Sequence, residues 1–368
     1  MEILYKRIFS YGSLQFCGHI EEYLVSHTQD LLVYIVQPRV GATHNLLRRY
    51  HAGALVEERP VRSSQNVFLY YALWFVNHVR FLFSFCPRGQ PTIVFGGHPI
   101  VFFGMGLFRL LRPLRYVYWV GDYFPSRHPV IRAFEWLKRY DLRRVDFAYY
   151  LTDAINRVMN GGQVVDTPTR RTLMWGLKPY ACKPVPQMSP FVLLVVGLIR
   201  PGQGIERLIE SLRDHPTYRL SIIGVCQPAF FDALQELLDA VGVRARVFFP
   251  NRFYSEDELL AVARTAHVGL ALYDISADNF THYADPGKVK AYAEMHLPVV
   301  MTRISDIAPY VERFGSGVVI DRLDELDEAL ERIRSNYASC QEGVARFLAH
   351  FDYERYYRSA FSCLENNG

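Results

Sequence analysis

The stretch best equipped for chemistry runs from Asp285 to Val300, Asp-Pro-Gly-Lys-Val-Lys-Ala-Tyr-Ala-Glu-Met-His-Leu-Pro-Val-Val. It reads as a turn, a short helix, a tight exit and a buried strand. Pro286 suits a helix N-terminus, where its missing N–H is an orphan anyway. The amides of such a first turn point outward with partial positive charge and make a natural seat for an anion. Lys288 falls in the same turn, against the helix dipole, and a phosphate or carboxylate outside the helix would explain its position. A solvated helix start with an incidental lysine explains this one stretch equally well.

Asp122 is the next candidate. It follows the apolar run Arg115–Val120 and Gly121, and a carboxylate between a glycine and an aromatic at a strand end is poorly explained by packing. His19 follows Cys17-Gly18, and His98 follows Gly96-Gly97. If the preceding strands are parallel, all these loops lie at the carboxyl edge of one sheet, where such folds bind ligands. The three side chains would then line one cleft. Taken alone, either histidine is better read as a loop residue with a local hydrogen bond.

At 368 residues the chain exceeds one ordinary core, so two domains are expected. The net charge of +4 hides an asymmetry. Residues 1–190 hold 23 Lys and Arg against 12 Asp and Glu, an excess of +11 that leaves −7 for the remainder. A basic first half meets something anionic, such as a membrane surface or a phosphorylated acceptor. Its basic residues are scattered among aromatics rather than run together, which ranks nucleic acid lowest. The six cysteines lie far apart with no Cys-x-x-Cys, as fits reduced thiols in a cytosol rather than disulfides or a metal site. No signal peptide is expected at the start of the chain. The most hydrophobic segment, Val67 to Cys86, is broken by Asn77, His78 and Arg80 and fits a buried or interfacial helix better than a membrane span.

Strands and helices alternate along the whole chain, the mark of parallel α/β sheets. Strands are predicted at 3–9, 31–36, 92–95, 115–120 and 147–151, then at 191–196, 219–223, 247–249, 268–272 and 298–301. Thr152 is predicted to cap a helix, and Ser255 with Glu258 to form a capping box. Residues 160–190 read as an interdomain connection. The predicted domains are 1–187 and 188–349, with 350–368 forming an aromatic, basic helix that crosses back onto the first.

Several stretches, in order, resemble the GT-B glycosyltransferases of the large sucrose-synthase-like group. Glu135 to Arg157 looks like that group's helix and following strand, and Val196-Gly197 through Gly204 to Ile209 looks like the strand, glycine loop and helix of its donor domain. Ser221 to Gly224, Phe248 to Arg252 and Asp285 to Val300 follow in the same order. The resemblance covers most of the chain and is strongest over 190–320. There are departures. Leu198 and Gln203 stand where many relatives carry a phosphate-binding Arg and Lys, and Tyr283 and Ala291 stand where they carry paired glutamates. Pro286, Lys288 and Tyr292 instead resemble a Pro-x-Lys-x-x-x-Tyr motif of galactofuranosyl- and adhesin glucosyltransferases. Glu294, three residues past the expected glutamate, reads as a solvated helix face.

The resemblance implies an α/β GT-B fold, two Rossmann-like domains facing a cleft. It also implies a metal-independent glycosyltransferase that uses a nucleoside-diphosphate sugar and no cofactor. Gly197, Gly204 and Gly224 would let phosphates approach the backbone, Lys288 and Arg200 would supply charge, and Asp285 or Tyr283 would hold ribose. Arg252 and Phe253 would seat the base, and Tyr292 completes the donor set. Asp122 would act as acceptor-side base or anchor, with His98 in the place of a missing histidine and His19 on the acceptor side. A hydroxyl acceptor, lipid-linked or membrane-proximal in surface-glycan assembly, suits the basic, aromatic first half, with a cytoplasmic location at the inner membrane face. Two alternatives share the fold: an epimerase, which would place a cluster of carboxylates at the sugar, and a silent GT-B scaffold, favoured by the missing Arg, Lys and glutamate pair and opposed by the presence of Lys288, Tyr292 and Asp122.

Overall fold

The computed structural model describes residues 2–11, 18–37, 44–181, 186, 190–273 and 280–365. Cys17, which precedes Gly18 and His19, lies outside the described residues. The chain divides into two compact units, Met1–Gly176 with Tyr353–Gly368, and Leu177–Asp352.

Unit 1 runs β1 (Tyr5–Tyr11), α1 (Ile20–His27), β2 (Thr28–Ile35), β3 (His44–His51), β4 (Ala54–Arg62), α2 (Val67–Phe85), β5 (Thr92–Gly96), α3 (Pro99–Phe102), α4 (Met105–Leu111), β6 (Leu114–Val120), α5 (Pro129–Leu142), β7 (Phe147–Tyr150), α6 (Asp153–Met159) and β8 (Arg170–Thr172). These strands form one sheet in the order β4-β3-β2-β1-β5-β6-β7-β8. From β2 to β8 every pairing is parallel, while β3 and β4 add an antiparallel ribbon at the edge. The order reverses between β1 and β5, the position at which open α/β sheets leave a crevice at their carboxyl edge.

Unit 2 runs β9 (Phe191–Val196), α7 (Ile205–Ser211), β10 (Tyr218–Ile223), α8 (Pro228–Val241), β11 (Val247–Phe248), α9 (Glu256–Ala263), β12 (Val268–Ala271), α10 (Gly287–Glu294), β13 (Val299–Thr302), α11 (Ala308–Phe314), β14 (Gly317–Ile320), α12 (Leu326–Ser335) and α13 (Tyr337–His350). Its sheet, β11-β10-β9-β12-β13-β14, is wholly parallel. The short strands β9, β12 and β13 are almost entirely apolar because helices cover both faces. The capping box of Ser255 and Glu258 on α9 is formed as the sequence predicts.

The last helix, α14 (Tyr353–Glu365), belongs to unit 1. Tyr357, Ala360, Phe361 and Leu364 form its buried stripe. The Phe361 ring packs against Tyr149, Phe95 and Tyr23 at 5.2 to 5.9 Å, and the Tyr149 hydroxyl donates to the Ala360 carbonyl at 3.1 Å. The unit boundary falls at 176/177, earlier than the composition of 160–190 indicates. Leu177 N–H bonds the Phe351 carbonyl at 2.7 Å and Lys178 N–H bonds Glu294 Oε1 at 3.0 Å, so the segment is tied into unit 2 by its backbone. Glu294 is therefore an anchor for that segment and not a solvated helix face.

Candidate active site

The residues expected to contact the donor lie in unit 2, around the carboxyl ends of β9 and β10. Gly197 has φ 105° and Gly224 has φ 155°. A Cβ on Gly224 would lie 1.8 Å from the Gly197 carbonyl oxygen, so two strand ends approach more closely there than any side chain allows. Gly197 N–H bonds Ile223 O and Ile199 N–H bonds Val225 O, both at 2.9 Å, which fixes the loop that follows β9. Gln203 accepts from the Arg200 N–H at 3.1 Å and braces the turn before Gly204, which starts α7 in a left-handed conformation.

Lys288 lies in the first turn of α10, with its stem against this loop. A Cβ on Gly197 would sit 3.2 Å from Lys288 Cε. Gln203 and Lys288 line the same small recess. Burial pushes the Lys288 ammonium down to about 8, and the like charge of Arg200 pushes in the same direction. Among the described residues no carboxylate pairs with Lys288. Lys288, the like-charged Arg200 and the start of α10 therefore lie at a glycine-lined strand end, with no carboxylate on Lys288 among the described residues, an arrangement that suits an anion.

Two residues assigned to donor contact have other work. The Asp285 carboxylate, fully buried, forms an ion pair with the buried Lys290 ammonium, so it holds the entrance to α10 instead of ribose hydroxyls. Tyr292 is also fully buried. Its hydroxyl accepts from Val196 N–H at 2.9 Å and donates to the Leu270 carbonyl at 3.0 Å. Its ring fills the space above Gly269, where a Cβ would lie 2.2 Å from Tyr292 Cγ. Tyr292 thus bolts α10 to β9 and β12 and sets the distance of Lys288 from Gly197. Removing that hydroxyl leaves two buried backbone groups short of a partner. Tyr292→Phe is expected to lower stability by about 1–3 kcal/mol and to weaken nucleotide binding several-fold, read by chemical denaturation and calorimetry on one preparation.

Tyr283 closes the short helical turn Phe280–Tyr283 ahead of α10 and is half-buried. Arg252 is paired with Glu258 at 2.7 Å and stacked 3.9 Å from the Tyr254 ring centroid, beside Phe253, which is 81% exposed. Asn251, in a left-handed conformation, accepts from Cys226 N–H at 2.9 Å and so draws this loop to the carboxyl end of β10.

The residues expected on the acceptor side lie in unit 1. His98 follows β5 and caps α3, accepting from Ile100 N–H on Nδ1 at 3.3 Å. That bond leaves the proton on Nε2. The ring lies 4.4 Å from Trp74 and about 6 Å from Phe134 and Tyr71. Burial first, and Lys138 second, push His98 down to about 4, so at neutral pH it is an uncharged donor. Asp122 follows the neighbouring strand β6. It is exposed, yet enough protein surrounds it to raise its carboxyl above the usual range, with the Lys138 ammonium opposing.

Lys138 and Glu135 escaped the sequence reading. Lys138 Nζ donates to the Asp122 carbonyl at 2.8 Å and pairs with Glu135 at 2.7 Å, both side chains being buried. One signal was available, because the chain has only six lysines against 35 arginines. Lysine on an otherwise arginine-rich helix marks a position where a compact ammonium fits and a guanidinium does not. His19 starts α1 in a left-handed conformation beside Glu22 (3.6 Å) and the Tyr353 ring (5.5 Å).

A pair of parallel-sheet units with the last helix returned to the first has solved counterparts. Sucrose-phosphate synthase from Thermosynechococcus elongatus superposes with a TM-score of 0.64 at 13% identity, over 97% of this chain and 100% of that one. The fold is GT-B. HepE of Anabaena, solved in complex with UDP, gives a TM-score of 0.62 at 13% identity over 98% of this chain and all of that one. WaaG, a glycosyltransferase involved in lipopolysaccharide biosynthesis, gives 0.53 at 17% over 98% of this chain and all of that one. Residues 244–362 match the glucosyltransferase 3-like C-terminal domain family. No curated protein sequence matches. Glycosyl transfer is the activity that this family match supports. Among the described residues no helix is long and apolar enough to cross a membrane.

Proposed function

We propose that the chain transfers a hexose from a nucleoside-diphosphate sugar to a hydroxyl of a lipid-linked or membrane-proximal acceptor, without a metal ion. The observation that carries this reading is Lys288, without a carboxylate partner among the described residues, beside Arg200 and the start of α10 at the Gly197 loop. A departing nucleoside diphosphate gains negative charge as the glycosidic bond opens, and preorganised cations and dipoles stabilise that charge most strongly when little water remains. Lys288 would take the phosphate nearest the sugar, with Arg200 at the more solvated side. Phe253 and Arg252 offer a stacking face and a donor to the base, and Tyr283 is left as the ribose partner. HepE, of the same fold, was solved with UDP bound, which supports a nucleotide donor here.

On the acceptor side Asp122 accepts the hydroxyl proton as the oxygen attacks the sugar carbon. Neutral His98, presenting Nε2–H, orients the acceptor and does not compete for that proton. Lys138 acts through Asp122, holding the strand end by its carbonyl.

Binding should carry the signature of Lys288. Only the ammonium attracts phosphate, so affinity for UDP or GDP is expected to be flat below pH 8. It should then fall above pH 8 by up to about tenfold per pH unit as one proton is lost. Calorimetry of both nucleotides from pH 6.5 to 9.5 reads this directly; absence of binding to either at pH 7 would remove the donor site, and EDTA is expected to change nothing.

What supports a membrane-proximal acceptor is the surface of unit 1. Phe68 and Leu110 are each 83% exposed and Trp136 is 64% exposed, on helices that also carry arginines. Apolar side chains beside cations suit an anionic lipid interface. Retention on vesicles containing phosphatidylglycerol is expected, lost at 0.5 M salt and reduced in Trp136→Glu; equal retention on neutral vesicles would count against it.

A further inference from the structure

Unit 1 holds a second cationic recess that no step above uses. It lies where the end of α2 meets the antiparallel ribbon of β3 and β4, and it encloses about 400 Å³. Strand register explains its composition. Leu32, Arg49 and Glu57 stand abreast on β2, β3 and β4, and Leu47 and Arg59 stand abreast two residues along, so all project from one face. Arg7 reaches in from β1, and Phe81 and Phe85 of α2 form the opposite wall.

The guanidinium groups are held ready. Arg7 donates to Gln90 at 2.9 Å and to Asp30 at 2.8 Å, and lies 5.5 Å from the Phe85 ring centroid. Its Nε is buried with no hydrogen-bond partner. Arg59 pairs with Glu57 at 2.7 Å and lies 5.7 Å from the Phe81 ring. Arg49 has no ion pair among the described residues. Asp30 is shared between Arg7 and His51, so the two carboxylates leave the three arginines with positive charge to spare. The site is also remote from the chemistry. Arg7 lies near the start of the parallel strands, whereas His98 and Asp122 follow their far ends; β1 alone spans roughly 13 Å between Arg7 and Tyr11.

We infer that this recess binds a phosphomonoester carrying a flat or apolar group, its phosphate held by Arg49 with Arg7 and Arg59 and its apolar part against Phe81 and Phe85. A tetrahedral phosphate has enough oxygens to meet several guanidinium forks at once, whereas a carboxylate has two. The volume suits a small ligand, and the aromatic walls reward an attached ring or chain over inorganic phosphate. Such a ligand, closing the ribbon onto α2, would act on the catalytic edge only through the sheet, as a regulator.

Phenyl phosphate titrated into the full chain bearing Lys288→Ala is the direct test, because that substitution removes the other phosphate site. Saturable binding is expected, tighter than for inorganic phosphate and weakened about tenfold or more by Arg49→Ala. Arg49→Lys should fall between, and the melting temperature of each variant shows that it is folded. Vesicles with and without phosphatidic acid separate two sources of the same chemistry. Arg49-dependent retention on the former assigns a lipid headgroup, and phenyl phosphate binding without it assigns a soluble ester. No saturable binding in the Lys288→Ala chain, or binding untouched in folded Arg49→Ala, overturns the site.

Discussion

Lys288→Ala is expected to weaken binding of UDP or GDP by about 2–4 kcal/mol, roughly 30- to 1,000-fold, while leaving the unliganded protein as stable as before. The two halves of that expectation come from the same geometry. Lys288 is a half-buried cation with no carboxylate partner among the described residues, and burial and the like charge of Arg200 both disfavour its ammonium, so its charge does not stabilise the folded chain in the empty site. A bound diphosphate supplies the counter-charge, and the loss on substitution then appears in the complex alone. Lys288→Arg should recover part of the affinity but not the pH dependence near 8. An unchanged dissociation constant in Lys288→Ala, measured by calorimetry at pH 7, would remove the donor site.

Asp122→Asn is expected to cut turnover by about 10²- to 10⁴-fold, the usual worth of a positioned base, with nucleotide affinity unchanged. The substitution is a fair test because Lys138 holds this strand end through the Asp122 carbonyl, which asparagine keeps. In the parent chain, activity should fall as pH drops and the carboxylate takes up a proton. That limb should lie above the ordinary carboxylate value, because burial raises Asp122 more than Lys138 lowers it. Full transfer activity in Asp122→Asn, in an assay following sugar release from labelled donor, would end its role as base.

Much of the fold was legible because parallel strands buried on both faces are uninterrupted apolar runs. Val94, Val117 and Leu193 sit in such runs and fall in strands. The β3–β4 ribbon was not legible. His44 to His51 and Ala54 to Arg62 interleave charges with few apolar residues, since the ribbon is an edge with little to bury, and its turn at Ala52-Gly53 lacks the Asn-Gly cue. Strand β14 and helix α13 were passed over, the first because four residues are too few to show a period.

The site was legible where a residue's position in its element carried the signal. Lys288 opposes a helix dipole, and that stays visible in one dimension. Asp285 and Tyr292 were misassigned because a motif gives spacing and not the direction in which a side chain points. Lys288 and Tyr292, four residues apart, share one face of α10, but the first turn sets Lys288 beside Gly197 past the end of β9, while Tyr292, one turn on, lies against the sheet. Lys138 was missed for the converse reason: on the amphipathic α5 it reads as a surface charge, and only the strand end above it makes it a clamp.

The chain's six lysines make one measurement especially direct. Reductive ¹³C-methylation gives each lysine its own NMR signal, and the one that vanishes in Lys288→Arg belongs to Lys288. The account predicts that this signal titrates near pH 8 in the free protein and at clearly higher pH once UDP or GDP is added, because the phosphates stabilise the ammonium. A Lys288 signal whose titration ignores saturating nucleotide would contradict it.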